Sequence, residues 1–330
     1  HSTSRRQRQM CIRDRDVFSQ NESLNAPKEQ VFSAKNYLQA RLEDGESTKT
    51  IKIRLLPFSP DGGSPFHKIY MHTVKVNKSV SKNGWKSFVC ANHNKELQLE
   101  DTRCPYCETA AKAKQLMFAA TNDIDKKNYS NVEYAHRAKE KWVVRCIERG
   151  HEDDGVKFWV FTHTQKDGIY NKIYDLFKLR YEECGDLKYN ICDVNDGKDI
   201  VLTLTKTNDG KTSITIADAG FSSPLSKDAN QAKAWIADSK KWSDVYKTKT
   251  YDYLSILLEG GVPKFDEDQK TYVNLADLKK DEDKTSSTQE DSPKEEAKTS
   301  TPKSETDETL DQIVSGNNVQ IEGVDDDLPF

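Results

Sequence analysis

The sequence predicts an α+β protein, mainly β with helical insertions. Three observations predict it: short β-patterned segments recur at non-repeating intervals, stretches of helical spacing interrupt them, and an Asn-Asp-Gly triplet joins two of the strands. In chain order, a short periodic stretch from Val31 to Leu42 predicts a helix, and Thr50 to Leu56 alternates as a strand and stops at Pro57. Pro57 to Pro65 is a loop of Pro, Gly, Ser and Asp. Lys68 to Val76 and Trp85 to Ala91 are the next two strands, with a polar turn from Ser79 to Gly84 between them. Glu108 to Ala120 is a helix, and Asn122 to Lys139 has helical tendency. Lys141 to Glu148 and Gly155 to Thr162 are strands. Asp167 to Cys184 carries apolar residues at helical spacing and ends at Gly185. Ile200 to Lys206 and Ser213 to Ala217 form the hairpin about Asn208-Asp209-Gly210, and Ser226 to Glu259 is helical, closed by Gly260-Gly261. A five-stranded oligonucleotide/oligosaccharide-binding (OB) barrel accommodates this order.

Charge is distributed unevenly along the 330 residues. The whole chain is −4, yet Asp277 to Phe330 carries 16 acidic and 6 basic residues, a net of −10. The mildly basic remainder fits polyanionic ligands, and the acidic segment fits basic partners or competition for the same surface. Five arginines in the first fifteen residues contribute to that basic balance. This stretch has no apolar core of a secretory signal and reads as adapter-derived sequence outside the fold. No apolar run approaches the roughly 20 residues of a membrane span. Cytoplasmic rather than secreted localisation is expected, so thiols and metal ligands are favoured over disulfides.

Seven cysteines are present. Cys104-Pro105-Tyr106-Cys107 is a CxxC knuckle opening directly onto a helix. Thirteen residues separate it from Cys90, and seventeen more separate Cys90 from His72. Three thiolates and one imidazole suit one tetrahedral Zn2+ closed by protein ligands, hence structural. His72, His93 and His67 are the candidates for the nitrogen ligand. Cys146, Cys184 and Cys192 sit in or beside apolar elements and read as buried or free thiols. HExxH, Walker and GxSxG motifs are absent, so no enzyme is predicted.

These residues resemble a known family. Ile51-Lys52-Ile53-Arg54-Leu55-Leu56-Pro57, His72, Lys82-Asn83-Gly84-Trp85, Cys90 and Cys104-Pro105-Tyr106-Cys107 are similar, in this order, to the single-stranded DNA-binding protein of T-even-type bacteriophages. The resemblance covers roughly residues 45–260 and extends to Trp142, to Gly155–Phe161 with the following helix, and to Ala219-Gly220-Phe221-Ser222. It implies an OB fold with a zinc subdomain, and it favours His72 with Cys90, Cys104 and Cys107 as the ligand set. It also implies binding of single-stranded DNA and self-association on DNA. The ligand intervals here are longer than the family's, and its Lys-Arg-Lys-Ser-Thr assembly motif is not present as such.

Sequence-independent binding of single strands needs cations for phosphates and aromatic faces for bases. The candidates are Lys82, Trp85, Lys86 and Phe88 on one hairpin, and Tyr129, Tyr134, Arg137, Lys139, Lys141, Trp142 and Arg145 around the strand from Lys141. Alternation sets Trp142 and Val144 on one face of that strand and Lys141, Val143 and Arg145 on the other. Phe158, Phe161, Ile173 and Phe177 read as core.

The acidic segment ends in Asp325-Asp326-Asp327-Leu328-Pro329-Phe330 after some fifty polar residues with no other aromatic. A ring that fills a pocket behind carboxylates that meet a basic rim makes a docking peptide. It resembles the C-terminal tip of bacterial single-stranded DNA-binding proteins, which recruits replication and repair enzymes. The expected organisation is therefore 1–15 outside the fold and 16–47 an N-terminal arm. An OB-fold core follows over 48–262, including a zinc subdomain at about 66–120, and then a linker and disordered acidic tail over 263–330. The expected function is coating of single-stranded DNA in phage replication, recombination and repair in the cytoplasm of an infected bacterial host. Polymerase, helicase or helicase loader, and recombinase are the expected partners. The alternative is a zinc-ribbon scaffold that binds no DNA.

Overall fold

The computed structural model describes residues 34–59, 63–162, 168–184 and 191–278, without the side chains of 180–184. The expectations for residues 1–33, for the Cys184 thiol and for the acidic tail with its tip lie outside these. Nine strands are described: β1 (Thr48–Leu56), β2 (Phe66–Lys75), β3 (Trp85–Val89), β4 (Lys139–Glu148), β5 (Lys157–Thr162), β6 (Gly197–Lys206), β7 (Thr212–Ser223), β8 (Pro263–Asp266) and β9 (Thr271–Asn274). The α-helices that accompany them are α1 (Pro105–Ala119), α2 (Asp123–His136), α3 (Ile169–Cys184), α4 (Ala229–Ile236), α5 (Trp242–Val245) and α6 (Tyr251–Leu258), with a further helical turn at 275–278 where the described residues end.

The first seven strands form one antiparallel sheet in the order β3-β2-β4-β1-β6-β7, with β5 also paired to β4. The fold is α+β and OB-like. β4 is the hinge of the architecture, because its first half pairs with β2 (Phe66↔Val144 to Met71↔Lys139) and its second half with β1 (Ile53↔Glu148 to Leu56↔Arg145). β5 runs along it from Lys141↔Thr162 to Cys146↔Lys157. Pairing along both edges makes β4 a central strand, and its two faces are covered as well: Val143, Val144, Cys146 and Ile147 are each fully buried. One core lies under β1, β4 and β6, built on Ile53, Leu55, Val144, Trp159, Ile173, Ile200 and Leu202. A separate one joins Phe88, Tyr106, Cys90 and Cys104 to Tyr253, Leu254 and Leu257 of α6.

β6 and β7 form the hairpin about Asn208-Asp209-Gly210, with Gly210 at φ +84. Near its far end the register slips. Lys198 faces Ser222 and Ile200 faces Asp218, so Ala219-Gly220-Phe221 bulges opposite Asp199. Gly220 takes φ +82 there, and Phe221 is left 87% exposed. The motif from Ala219 to Ser222 is thus a bulge inside a strand.

Three expectations need correction. Within the described part of 31–42 only Ala34–Asn36 turns, as a single 3-10 turn. Tyr37 then bridges Phe158, and the Leu38 N–H donates to the Phe158 carbonyl at 2.9 Å. Burial of Leu38 against the sheet outweighs weak helical periodicity. The segment Ser226 to Glu259 is three helices, not one. The Arg145 guanidinium takes the carbonyls of Trp235 and Asp238 at 3.0 and 3.1 Å, which ends α4. Beyond 262, where a linker was expected, β8 and β9 form a hairpin whose Tyr272 packs edge-on against Tyr253, centroids 4.9 Å apart.

Candidate metal centre and nucleic-acid interface

His72, Cys90, Cys104 and Cys107 converge, with one ligand atom from each lying within 4.8 Å of all the others. Local structure explains the convergence. Cys104 is the extended residue before α1, and Pro105 opens the helix without a backbone donor to leave unpaired. The Glu108 N–H closes the first turn on the Cys104 carbonyl at 3.1 Å, which puts Cys107 one turn in, beside Cys104. Cys90 follows the last residue of β3. His72 lies on β2 opposite Phe88, and the rings stack at 5.2 Å. The His72 Nδ1–H donates to the His136 carbonyl at 2.9 Å, so Nε2 presents its lone pair to Cys104 and Cys107 Sγ at 3.4 and 3.5 Å. Cys90 and Cys107 sulfurs are 3.4 Å apart.

Electrostatics favour a cation here. Hydrogen bonds from Cys104 and then Cys107 pull the Cys90 thiol down to about 4. Hydrogen bonding to Cys104 and Cys90 pushes the Cys107 thiol up. Like charges this close keep the three sulfurs from all being thiolates at once unless a positive ion joins them. Burial raises the thiols of Cys146 and Cys192, the latter to about 12, so these two are inert core residues.

Asn94 is a positioning residue that sequence reasoning missed. It is buried, and its amide donates to the carbonyls of Tyr70 and Cys90 at 2.8 and 2.7 Å, while its oxygen accepts from the Tyr70 N–H at 2.9 Å. It pins the end of β3 to β2. A polar residue four positions after a ligand is the only signal the sequence offered.

Aromatic residues gather on the sheet face bearing Trp142. Trp142 stacks on Tyr170 (centroids 4.8 Å, 18°), and Tyr170 on Tyr174 (6.3 Å, 11°). Phe66 meets Trp142, Tyr170 and Phe177 at 4.8 to 6.2 Å. Lys68 Nζ lies 5.4 Å from the Trp142 ring, and Tyr174 is 51% exposed. The result is a ladder running from core to solvent with a cation beside it. Tyr170 and Tyr174 were not anticipated; their i,i+4 spacing on α3 was the available signal. A second group places Arg137 and Lys139 over the Tyr134 ring at 4.9 and 4.5 Å.

The other expected contacts scatter. Lys82 is exposed on the β2–β3 turn, and Trp85 and Tyr129 are half-buried. Lys86 donates to the Tyr253 hydroxyl at 2.7 Å. Phe88 is 2% exposed and packs on His72 and Tyr106, so it is a core residue of the metal subdomain and not a stacking face. Lys141 is buried within β4. Arg145, also buried, gives its hydrogen bonds to four carbonyls, those of Pro57, Phe58, Trp235 and Asp238. It is a structural brace on the face away from Trp142.

An antiparallel OB-like sheet with a closed donor set and an aromatic face flanked by cations has the parts of a nucleic-acid-binding protein. The family model described as gp32 DNA binding protein like matches residues 45–251, and the chain belongs to that family of single-stranded DNA-binding proteins. No curated protein sequence matches the chain. The family is one of binding proteins, not of catalysts. Among the described residues, no helix is long and apolar enough to cross a membrane.

Proposed function

We propose that this protein coats single-stranded DNA without sequence preference during phage DNA replication, recombination and repair, in the cytoplasm of the infected bacterial host. The observation that carries the proposal is the Trp142–Tyr170–Tyr174 ladder beside Lys68. Bases stack on such faces whatever their identity, while phosphates meet the cations. Lys82, Trp85, Lys86, Tyr129, Tyr134, Arg137 and Lys139 remain proposed contacts along the strand's path. Titration with oligo-dT should quench tryptophan fluorescence, and affinity should fall steeply as salt rises. Tyr174→Ala should weaken binding by roughly 1–3 kcal/mol, about 5- to 150-fold. Phe118→Ala, an exposed aromatic off the ladder, should leave it unchanged. No quenching at low salt by the folded, metal-loaded protein sinks the proposal and leaves a scaffold role.

The metal is read as one structural Zn2+ held by His72, Cys90, Cys104 and Cys107. A tetrahedral ion with zinc's bond lengths spaces its donors by about 3.5–3.8 Å, close to the 3.4 to 3.5 Å contacts of this set. Soft sulfur donors suit zinc over the harder divalent ions. The ion would supply charge neutralisation and a crosslink, since protein donors fill all four positions.

The acidic tail is read as a competitor for the DNA surface and as the recruiter of polymerase, helicase or helicase loader, and recombinase through Asp325 to Phe330. Covalent attachment to the body gives it an effective concentration on the order of millimolar. Deleting residues 277–330 should strengthen oligo-dT binding, most at low salt. Removing Phe330 alone should leave DNA binding intact and abolish capture of those enzymes. Weaker DNA binding after tail deletion, or capture that survives loss of Phe330, refutes this part.

A further inference from the structure

We propose that His93 is a fifth donor of the metal centre: it hydrogen-bonds to the Cys90 and Cys107 thiolates while all four ligands are in place, and ligates the metal itself when Cys107 is lost. The inference rests on the four-ligand reading above. His93 Nδ1 lies 3.3 Å from Cys90 Sγ and 3.5 Å from Cys107 Sγ. Its contacts reach those two sulfurs and not Cys104. They lie on the open edge of the donor set, where Cys107 is half-buried while His72, Cys90 and Cys104 are buried. The imidazole is held in place. It sits three residues after Cys90 on the turn that Asn94 pins to the Cys90 carbonyl, and its ring packs 5.4 Å from that of Tyr70.

The chemistry follows from charge and vacancy. Three thiolates and a neutral imidazole around a divalent ion leave one net negative charge, and an N–H donor aimed at two of the sulfurs offsets it. Loss of the Cys107 thiolate opens a coordination position at the edge where His93 stands. The ring then carries its proton on Nε2, and the Nδ1 lone pair completes a set of two cysteines and two histidines, itself a closed structural set. Loss of Cys104 opens a position that His93 does not adjoin. The reserve is therefore specific to the exposed ligand, the one that alkylating agents and oxidants reach first.

Cobalt titration of the full-length, metal-free protein tests this. Wild type should take one Co2+ with a tetrahedral spectrum. Cys107→Ser should still take one, with the thiolate charge-transfer band at roughly two thirds of wild type, two thiolates standing where three did. Adding His93→Ala to Cys107→Ser should weaken Co2+ binding about a hundredfold, well beyond the tenfold of a supporting hydrogen bond, whereas adding it to Cys104→Ser, which keeps both sulfurs that His93 touches, should cost no more than that tenfold. His93→Ala alone should keep the wild-type spectrum and bind Co2+ about tenfold more weakly, as loss of a supporting hydrogen bond does. Equal binding by Cys107→Ser with and without His93 overturns the proposal. If Cys107→Ser does not fold, unchanged affinity in His93→Ala overturns it alone. A wild-type chain that takes up no cobalt overturns the four-ligand reading beneath it.

Discussion

Stripping the metal should open the region between β2 and α1 and free the chain after α5, while the β1–β4–β6 core stays folded. The reason is where the ligands sit. Cys90 and Cys104 are wall residues of the small core made by Phe88, Tyr106, Tyr253, Leu254 and Leu257. Unneutralised sulfurs there cost the packing around them. Binding free energy of structural zinc is folding free energy, about 10–16 kcal/mol in isolated zinc-finger peptides. Here part of that core survives on apolar contacts, so the loss should be smaller but still the largest of any single perturbation. α6 follows the subdomain because the Tyr251 hydroxyl donates to Glu108 at 2.8 Å, Arg103 covers the Tyr251 ring at 4.8 Å, and Lys86 donates to Tyr253. Limited proteolysis of chelated protein, read by mass, should show early cuts within 76–120 and 247–278. Cleavage patterns identical with and without chelator would refute the coupling.

Asp199→Ala should destabilise the sheet by about 3–5 kcal/mol, because it strands a buried cation. Arg54 is fully buried; its Nε donates to Asp199 at 2.9 Å, and its other nitrogens reach the Asp193 carbonyl and Ser223. Arg149 adds three contacts to the same carboxylate at 3.0 to 3.2 Å and bonds the Leu225 carbonyl. One aspartate thus ties β1, β4, β6 and the end of β7 together. There is no slack: a Cβ on Gly197 would stand 2.8 Å from Arg54 Nη1. Burial alone would raise the Asp199 carboxyl, but the Arg149 hydrogen bonds and both guanidinium charges outweigh it and hold it below the ordinary value. A carboxylate lowered on folding stabilises the protein above its unfolded value near 4, and that stability drains away as pH falls through the lower folded value. Thermal melts should show Asp199→Ala lower by roughly 10 °C at neutral pH, with the gap narrowing below about pH 4. A gap that is absent, or that widens on acidification, counts against the network.

What the sequence revealed and what it hid divide along a physical line. Strands with alternating or continuous apolar runs were legible, because burial dictates them residue by residue. The Asn-Asp-Gly turn and the CxxC knuckle were legible because each is a local geometric demand. The candidate ligand set was legible as a list, while the carbonyl of His136 and the amide of Asn94 that orient it were not, since neither leaves a spacing signature. Arg54 and Asp199 stand 145 positions apart, and nothing local marks an arginine as buried. Phe88 and Arg145 looked like DNA contacts because an aromatic or a cation reads the same on either face of a strand until its neighbours are known. The β8–β9 hairpin was missed because its strands are only four residues each and its turn is as polar as the tail that follows.

That hairpin separates two kinds of boundary. The recurrent module recognised in this chain stops at residue 251, at the first residue of α6. The cooperative unit does not stop there, because α6 supplies one wall of the metal subdomain and β9 leans on α6 through Tyr272 and through Thr271, which bonds Asp252 at 2.7 Å. The span that matches the family model and the unit that packs together therefore end at different residues. The stretch between them acts as a clasp on the metal-binding end of the molecule.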